Sequence, residues 1–454
     1  MTAQPYRWIA AAVAAGVVVT LAACSPGEDT SDDGGKTVIQ VGSLPSTEEP
    51  EEREAFMAEV ELFEEANPDI DVEPVETEWA ADTFQAMVAG GTMPTVLEVP
   101  FTEIRSIIER GQSADLTEYL ADSEVLSEIN PAVQANASTD DGKVWGVPVF
   151  AYTMGLLYNR ALFEAAGLDP EAPPTTWEEV REAAKAITDK TDAQGFQSMT
   201  LENTGGWSLV STTDGFGGRV ANADGTELTI DNAETAAVLE MYQAMRWEDE
   251  SFGSNFLLNY GDANNAFASG QVGMFVQGAD SYWSMVINLG MSPDDFGVAP
   301  MPQAEEGAGT LAGGTLAIVA PTASEEQTAA AAKWIEYSYF DRFVDEDVAV
   351  RQAKASSEAG SAVGGPELRL VSAELYDRWL GWVSEYVNVP RENYEFYLST
   401  VEDIPLVPEP AIAAQEIYAT LDPVVQAVLT REDADIDELL SEAQTTAQSI
   451  VDNQ

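Results

Sequence analysis

Thr37-Val38-Ile39-Gln40-Val41, Ile70-Asp71-Val72-Glu73-Pro74-Val75 and Thr95-Val96-Leu97-Glu98-Val99 are three short apolar runs separated by two amphipathic stretches. The first run opens into a loop holding Gly42, Pro45 and Pro50. Glu54 to Ala66 then places Phe56, Val60 and Phe63 on one face with carboxylates opposite, the pattern of a half-buried helix. Asn67-Pro68 ends it, because proline lacks a backbone donor and biases the residue before it away from helix. Thr83 to Ala89 reads as a second helix, stopped by Gly90-Gly91. Strand, helix, strand, helix, strand with short connections predicts an α/β fold with mostly parallel sheets flanked by helices.

Toward the C-terminus the alternation continues. Val144 to Leu157 is apolar and begins Trp145-Gly146-Val147-Pro148-Val149. After Pro173-Pro174, Thr176 and Glu179 form a capping box, and Trp177, Val180, Ala184 and Ile187 make the apolar stripe of a helix. Trp207 to Gly218 is rich in Gly, Ser and Thr and reads as a turn region. A helix is predicted over 233–247, strands at Met274-Phe275-Val276, Phe296–Pro300 and Leu316–Val319, and an alanine-rich helix capped by Ser324 and Gln327. Pro405 and Pro408 mark a turn before two final helices.

Toward the N-terminus the chain changes character. Arg7 precedes an uncharged run from Trp8 to Thr20, about a dozen residues and too short for the roughly 20 that span a bilayer. Small residues and the single cysteine, Cys24, follow. Ser25 to Lys36 is polar and cannot bury enough surface to fold. This arrangement resembles a bacterial lipoprotein lipobox. It implies a signal peptide over 1–23, a lipid on Cys24, a polar tether over 24–36, and an extracytoplasmic protein held at the outer face of the cell membrane.

Composition closes most routes to catalysis. There is no histidine, so a Ser-His-Asp triad and the commonest zinc ligand are both excluded. The one cysteine, if lipidated, leaves no disulfide and no thiolate nucleophile. No G-x-x-x-x-G-K-[ST] loop and no helix-opening G-x-G-x-x-G occurs, so no cofactor and no metal are expected. Carboxylates remain, with 79 Asp and Glu against 20 Lys and Arg, a net charge of −59. Such a surface repels nucleic acid and anionic lipid. It reads as adaptation to high salt, where screening shortens self-repulsion to a few ångströms, ahead of a surface that binds cationic ligands or calcium, because no Asp-x-Asp-x-Asp-Gly loop with a closing Glu occurs.

Gly146-Val147-Pro148, Met154-Gly155-Leu156-Leu157-Tyr158-Asn159-Arg160-Ala161-Leu162-Phe163, Ala166-Gly167-Leu168 and Pro173-Pro174-Thr175-Thr176-Trp177-Glu178-Glu179 together resemble the central signature of the family 1 extracellular solute-binding proteins. These are the maltose-binding-like sugar receptors of ABC importers. Pro94-Thr95-Val96 before Gly111, Phe267-Ala268-Ser269-Gly270-Gln271-Val272-Gly273-Met274 and Ala312-Gly313-Gly314-Thr315-Leu316-Ala317-Ile318 agree in order. The resemblance implies a two-lobe periplasmic-binding-protein-like fold of type II with a cleft between the lobes. Lobe one would hold 37–149 plus 302–345, and lobe two 150–301 plus 346–454. It implies a monomer that captures a mono- or oligosaccharide and hands it to the transmembrane subunits of an ABC permease.

A sugar presents hydroxyls at its edge and C–H faces above and below, so its site needs aromatic rings and hydrogen-bonding side chains. The resemblance places a stacking tryptophan after the Met274 strand. Here Gly278-Ala279-Asp280-Ser281-Tyr282-Trp283 lengthens that spacing, so Tyr282 or Trp283 takes the place and Asp280 lies beside it. Trp207 in the glycine-rich region and Tyr152 after Pro148 are further candidates. Ser43 and Glu98 end the first and third strands, and Phe101 follows the third. Gly313 and Gly314 either let the backbone approach the ligand or form a tight turn. Trp177 and Trp334 read as helix packing. The rival functions are a polyamine receptor on the same fold, for which Asp280 would pair an ammonium, a carboxylate glycosidase with two acids about 5–10 Å apart, and a structural surface lipoprotein.

Overall fold

The computed structural model describes residues 35–453 apart from Asp82 and Glu306. The signal peptide, Cys24 and nearly all of the tether lie outside the described residues. Among the described residues nine strands set the order: β1 (Thr37–Val41), β2 (Ile70–Pro74), β3 (Val96–Pro100), β4 (Val147–Asn159), β5 (Gln194–Phe196), β6 (Val272–Gly278), β7 (Phe296–Pro300), β8 (Thr310–Val319) and β9 (Leu406–Pro408). They follow the order β2-β1-β3-β8-β4-β6-β5, with β7 on β4 and β9 on β8. Pairing is parallel at β1–β2, β1–β3, β5–β6 and β8–β9. It is antiparallel where the long strands β4 and β8 meet each other or β3, β6 and β7.

β4 joins two lobes. Its first half, through Thr153, pairs with β8, and from Met154 onward it pairs with β6 and β7. Val147, Val149 and Ala151 accordingly enter a first core with Ile39, Val41, Leu97 and Ile318. Met154, Leu156 and Tyr158 enter a second core with Trp177, Val180, Ile187 and Met274. Leu157 points the other way, into a third cluster with Phe275, Tyr394 and Tyr397. This is the period-2 alternation of a strand with cores on both faces. β8 crosses likewise, with Leu311 in the second core and Leu316 to Val319 in the first.

The lobe limits therefore fall inside β4 and β8 rather than at 149 and 302. After 345 the chain also returns to lobe one: Leu368, Leu370, Val371, Leu375 and Tyr376 pack in the first core. The Asn130 N–H donates to the Leu370 carbonyl at 2.8 Å. Sequence alone assigns that whole region to lobe two, because the loop around Leu368–Val371 and the helix Ala373–Trp382 return through tertiary contacts that chain order does not reveal.

The helices follow their local signals. The first spans Pro50–Ala66 and buries Val60 and Phe63, the latter edge-on to Trp334 at 5.2 Å. Both predicted capping boxes form, at Thr176/Glu179 and Ser324/Gln327. Trp177 and Trp334 are each only 4% exposed, as core residues should be. One helix departs from expectation. Thr204–Gly215 is helical and buried on almost all sides. The Ser211, Thr212 and Thr213 hydroxyls donate to the carbonyls four residues back, at 2.8, 2.8 and 2.9 Å. Hydroxyls satisfied within the helix act as apolar surface outside it, so no stripe is visible in sequence. Likewise Leu406–Pro408 is a strand on β8 and not a turn.

Candidate functional site

The site grows from the point where β4 changes partners. Tyr152 faces Gly313 in the β4–β8 register. A Cβ on Gly313 would lie 2.4 Å from the Tyr152 hydroxyl, and one on Gly314 (φ +158°) would lie 2.2 Å from the Phe150 carbonyl and 3.0 Å from the Phe101 ring. The two glycines thus sit mid-strand, not in a turn, and the space they leave is filled by Tyr152, Phe101 and β4 backbone. They shape the aromatic floor of the crossing.

Around Tyr152 stand acidic and aromatic groups from both sides of the crossing. The Phe150 and Tyr152 rings lie 6.1 Å apart. Burial raises the Tyr152 phenol, and Glu409, Asp280 and Tyr260 raise it further. Asp280 follows β6 and turns back, so that a Cβ on Gly278 would lie 2.6 Å from its Oδ1. Burial chiefly pushes Asp280 up to about 6, with Glu367 adding to the shift. Glu409 is pushed up to about 7 by burial, although the Tyr418 hydroxyl donates to it at 3.1 Å and pulls the other way. Glu103, in the turn after β3, is raised by burial and then by Glu416, in the first turn of the helix Ala414–Thr430. The turn at Phe101 packs on the first core and that helix on the second, so this carboxylate pair spans the two lobes.

The remaining candidates divide. Trp283 is 52% exposed at the start of a π-helical turn, whereas Tyr282 is 3% exposed and edge-on to Phe296 at 5.3 Å. The longer spacing is thereby resolved: Tyr282 is a core ring, and Trp283 stays open to solvent. Trp207 lies half-buried on the helix Thr204–Gly215, between the second and third clusters, rather than in a turn. Ser43, with φ +63°, and Glu98 line a separate cavity of about 430 Å³ with Phe56, Trp334 and Tyr339. The Tyr339 hydroxyl donates to Glu98 there. That cavity shares Glu59 and Ser338 with one of about 400 Å³ that reaches Phe150 and Ala151. Ser43 and Glu98 thus sit at the far end of a groove, away from the Tyr152 cluster.

Sequence reasoning missed Glu409, Glu103, Glu416, Tyr260 and Phe150. For Glu409 one signal existed: it is an acid bracketed by Pro408 and Pro410, where the chain cannot turn it freely. The others are brought in by tertiary contacts alone.

Two strained helix starts support this region. Glu202, Asn203 and Ala413 all have positive φ (57°, 69° and 53°). Asp422, 8% exposed, accepts the N–H groups of Asn203 and Gly206, both at 2.9 Å. A carboxylate there caps the helix Thr204–Gly215 and complements its dipole. At the other end of that helix Asp214 is 2% exposed, its Oδ2 has no hydrogen-bond partner among the described residues, and Arg219 stands 3.7 Å away. Burial pushes Asp214 up to about 8.

Asp214 should therefore make stability depend on pH. Its folded pKa lies above the unfolded one, so the folded state holds an extra proton between about pH 4 and 8, and stability falls as pH rises through that window. Asp214→Asn should lack this component, gaining a few kcal/mol on the wild type between pH 5 and 8 in denaturant melts. Parallel pH profiles would show that the carboxyl is not held neutral.

Among the described residues no helix is long and apolar enough to cross a membrane, and no group of three or more acids, histidines or cysteines is arranged to hold a metal. Solved structures share the fold. The cyclic α-maltosyl-1,6-maltose binding protein of Arthrobacter globiformis is 23% identical, with a TM-score of 0.69 over 92% of this chain and 100% of that one. UgpB of Mycobacterium tuberculosis, in complex with glycerophosphocholine, is 18% identical with a TM-score of 0.69 over 92% and 100%. By sequence, the sn-glycerol-3-phosphate-binding periplasmic protein UgpB of Agrobacterium fabrum is 28% identical over 229 residues, 48% of this chain and 46% of that protein. The UgpB of Brucella abortus is 26% identical over 268 residues, 56% of each. The chain spans about half the length of these curated relatives. It falls among binding proteins and not enzymes, which sets aside the glycosidase expectation. Residues 47–342, more than half the sequence, match the family described as bacterial extracellular solute-binding protein, and the chain belongs to that family.

Proposed function

We propose that this protein is the receptor of an ABC importer, capturing a carbohydrate or polyol between its lobes and delivering it to the permease. The observation that carries this reading is the cluster at the β4 crossing. Tyr152 and Phe150 supply ring faces there, and Asp280 and Glu409 supply acceptors beside them. The solvent-open Trp283 stands three residues beyond Asp280. Flat apolar faces with convergent oxygens are what a sugar requires. The relatives and neighbours named for maltosyl sugars and glycerol phosphate support the same class. Closure about β4 and β8 would bury the solute and present the closed form to the permease.

The same carboxylates favour a second reading, a polyamine whose ammonium groups Asp280 and Glu409 would pair. A thermal-shift screen with mono- and oligosaccharides, polyols and amines separates the two. Stabilisation by a carbohydrate or polyol supports the first, and stabilisation by amines alone would replace it with the second.

The protein is further proposed to be a monomer, lipidated at Cys24 after removal of residues 1–23 and held by its tether at the outer face of the cell membrane. Its net charge of −59 is proposed to be a salt adaptation. Melting temperature should then rise steeply from low to molar sodium chloride as self-repulsion is screened, and a flat response would contradict it.

A further inference from the structure

The cavity of about 400 Å³ beside β4 is lined by Phe150, Arg342, Arg351, Glu367, Arg369 and Trp379, among others. Three arginines in one cavity are conspicuous in a chain with 20 basic residues against 79 acidic ones. Two are paired, Arg351 with Glu59 and Arg369 with Glu402. Arg342 is different. Its Nε is buried without an acceptor among the described residues, and its guanidinium lies over the Phe343 ring at 4.9 Å. Glu367 and Tyr376 act on it through space, without a hydrogen bond. A buried guanidinium N–H with no acceptor is costly. A fold retains one most readily where a ligand supplies the missing acceptors. Its planar fork matches the paired oxygens of a phosphate or carboxylate, and stacking on Phe343 fixes the plane.

We propose that this cavity is a subsite for an anionic group of the solute, phosphate or carboxylate, with Arg342 as its principal donor. Phe150 and Ala151 form part of the cavity wall, and Tyr152 is the next residue on β4. An anionic group at Arg342 can therefore belong to the same molecule whose neutral part lies on Tyr152 and Trp283. Glu367 also lines the cavity; burial raises its carboxyl, while Arg342 and Arg391 oppose that shift. The proposal rests on the polyol reading of the cleft only for the neutral part of the solute.

The test is calorimetric titration of the chain from residue 25 onward, at fixed ionic strength, with two matched pairs and one bare anion. The pairs are sn-glycerol 3-phosphate with glycerol, and D-glucuronate with D-glucose; inorganic phosphate is the fifth probe. At least one charged member should bind tenfold or more tightly than its neutral counterpart, and which pair does so tells phosphate from carboxylate. Arg342→Gln should abolish that preference, and Arg342→Lys, which keeps charge without the fork, should retain part of it. Equal binding of charged and neutral members, no binding of any anion at millimolar concentration, or a preference unchanged in a normally melting Arg342→Gln would overturn it. The cleft reading fails separately: an Arg342-dependent preference with the affinities of both members of the pair unchanged in Trp283→Ala would sustain the subsite and remove Trp283 from the site.

Discussion

Asp422→Ala is expected to lower stability by about 2–6 kcal/mol, because it leaves two backbone donors without their acceptor at roughly 1–3 kcal/mol each. The N–H groups concerned, of Asn203 and Gly206, begin a helix that is mostly buried, Gly206 fully and Asn203 in part. A Cβ on Gly206 would lie 2.1 Å from the Tyr418 carbonyl, so the two helices already touch through backbone. The same carboxylate holds Glu202 and Asn203 against left-handed strain, which costs of order 1–3 kcal/mol per residue. Asp422→Asn, keeping one oxygen but turning an amide N–H toward a donor, should fall between wild type and alanine. Denaturant melts of the three proteins measure this, and a midpoint for Asp422→Ala within error of wild type would show that the cap carries no weight. Trp207 rides on this helix, so solute affinity should fall along with stability.

Trp283→Ala should do the opposite, losing affinity while leaving the fold intact. A buried tryptophan cut to alanine typically costs about 3–5 kcal/mol of stability. Trp283 is 52% exposed and should cost far less, whereas Trp177, 4% exposed, provides the buried control. If its ring is a platform for a sugar face, binding of the strongest carbohydrate or polyol from the screen should weaken by roughly 1–3 kcal/mol, tenfold or more in Kd. Normal melting with unchanged affinity would make Trp283 an ordinary exposed ring. A large drop in melting would return it to the core with Tyr282.

What could be read from sequence and what could not separate along physical lines. Local signals survived into the structure. The capping boxes at Thr176 and Ser324, the stop at Asn67 and the strand Phe296–Pro300 depend on neighbours within a few residues. Motif order revealed the two-lobe family, because β4 and β8 carry its most distinctive residues. Tertiary satisfaction hid the rest. The helix Thr204–Gly215 shows no stripe because it is enclosed on nearly every side. Gly313 and Gly314 are required by Tyr152 and Phe150, residues more than 150 positions away, and not by a turn. Tyr282 and Trp283 are adjacent in sequence and opposite in fate, since only the packing of Phe296 and Tyr394 decides which ring is buried. Glu103 and Glu416 meet across the lobes, Asp280 and Glu409 flank Tyr152, and Arg342 faces its cavity, all through contacts with no sequence spacing to betray them.

Small-angle scattering of the wild type, with and without the best carbohydrate or polyol of the screen, tests most directly whether a solute is held between the lobes. Saturation should shrink the radius of gyration as β4 and β8 flex and the lobes close, and Trp283→Ala should need more ligand for the same change. An unchanged radius at calorimetric saturation would contradict capture in the cleft.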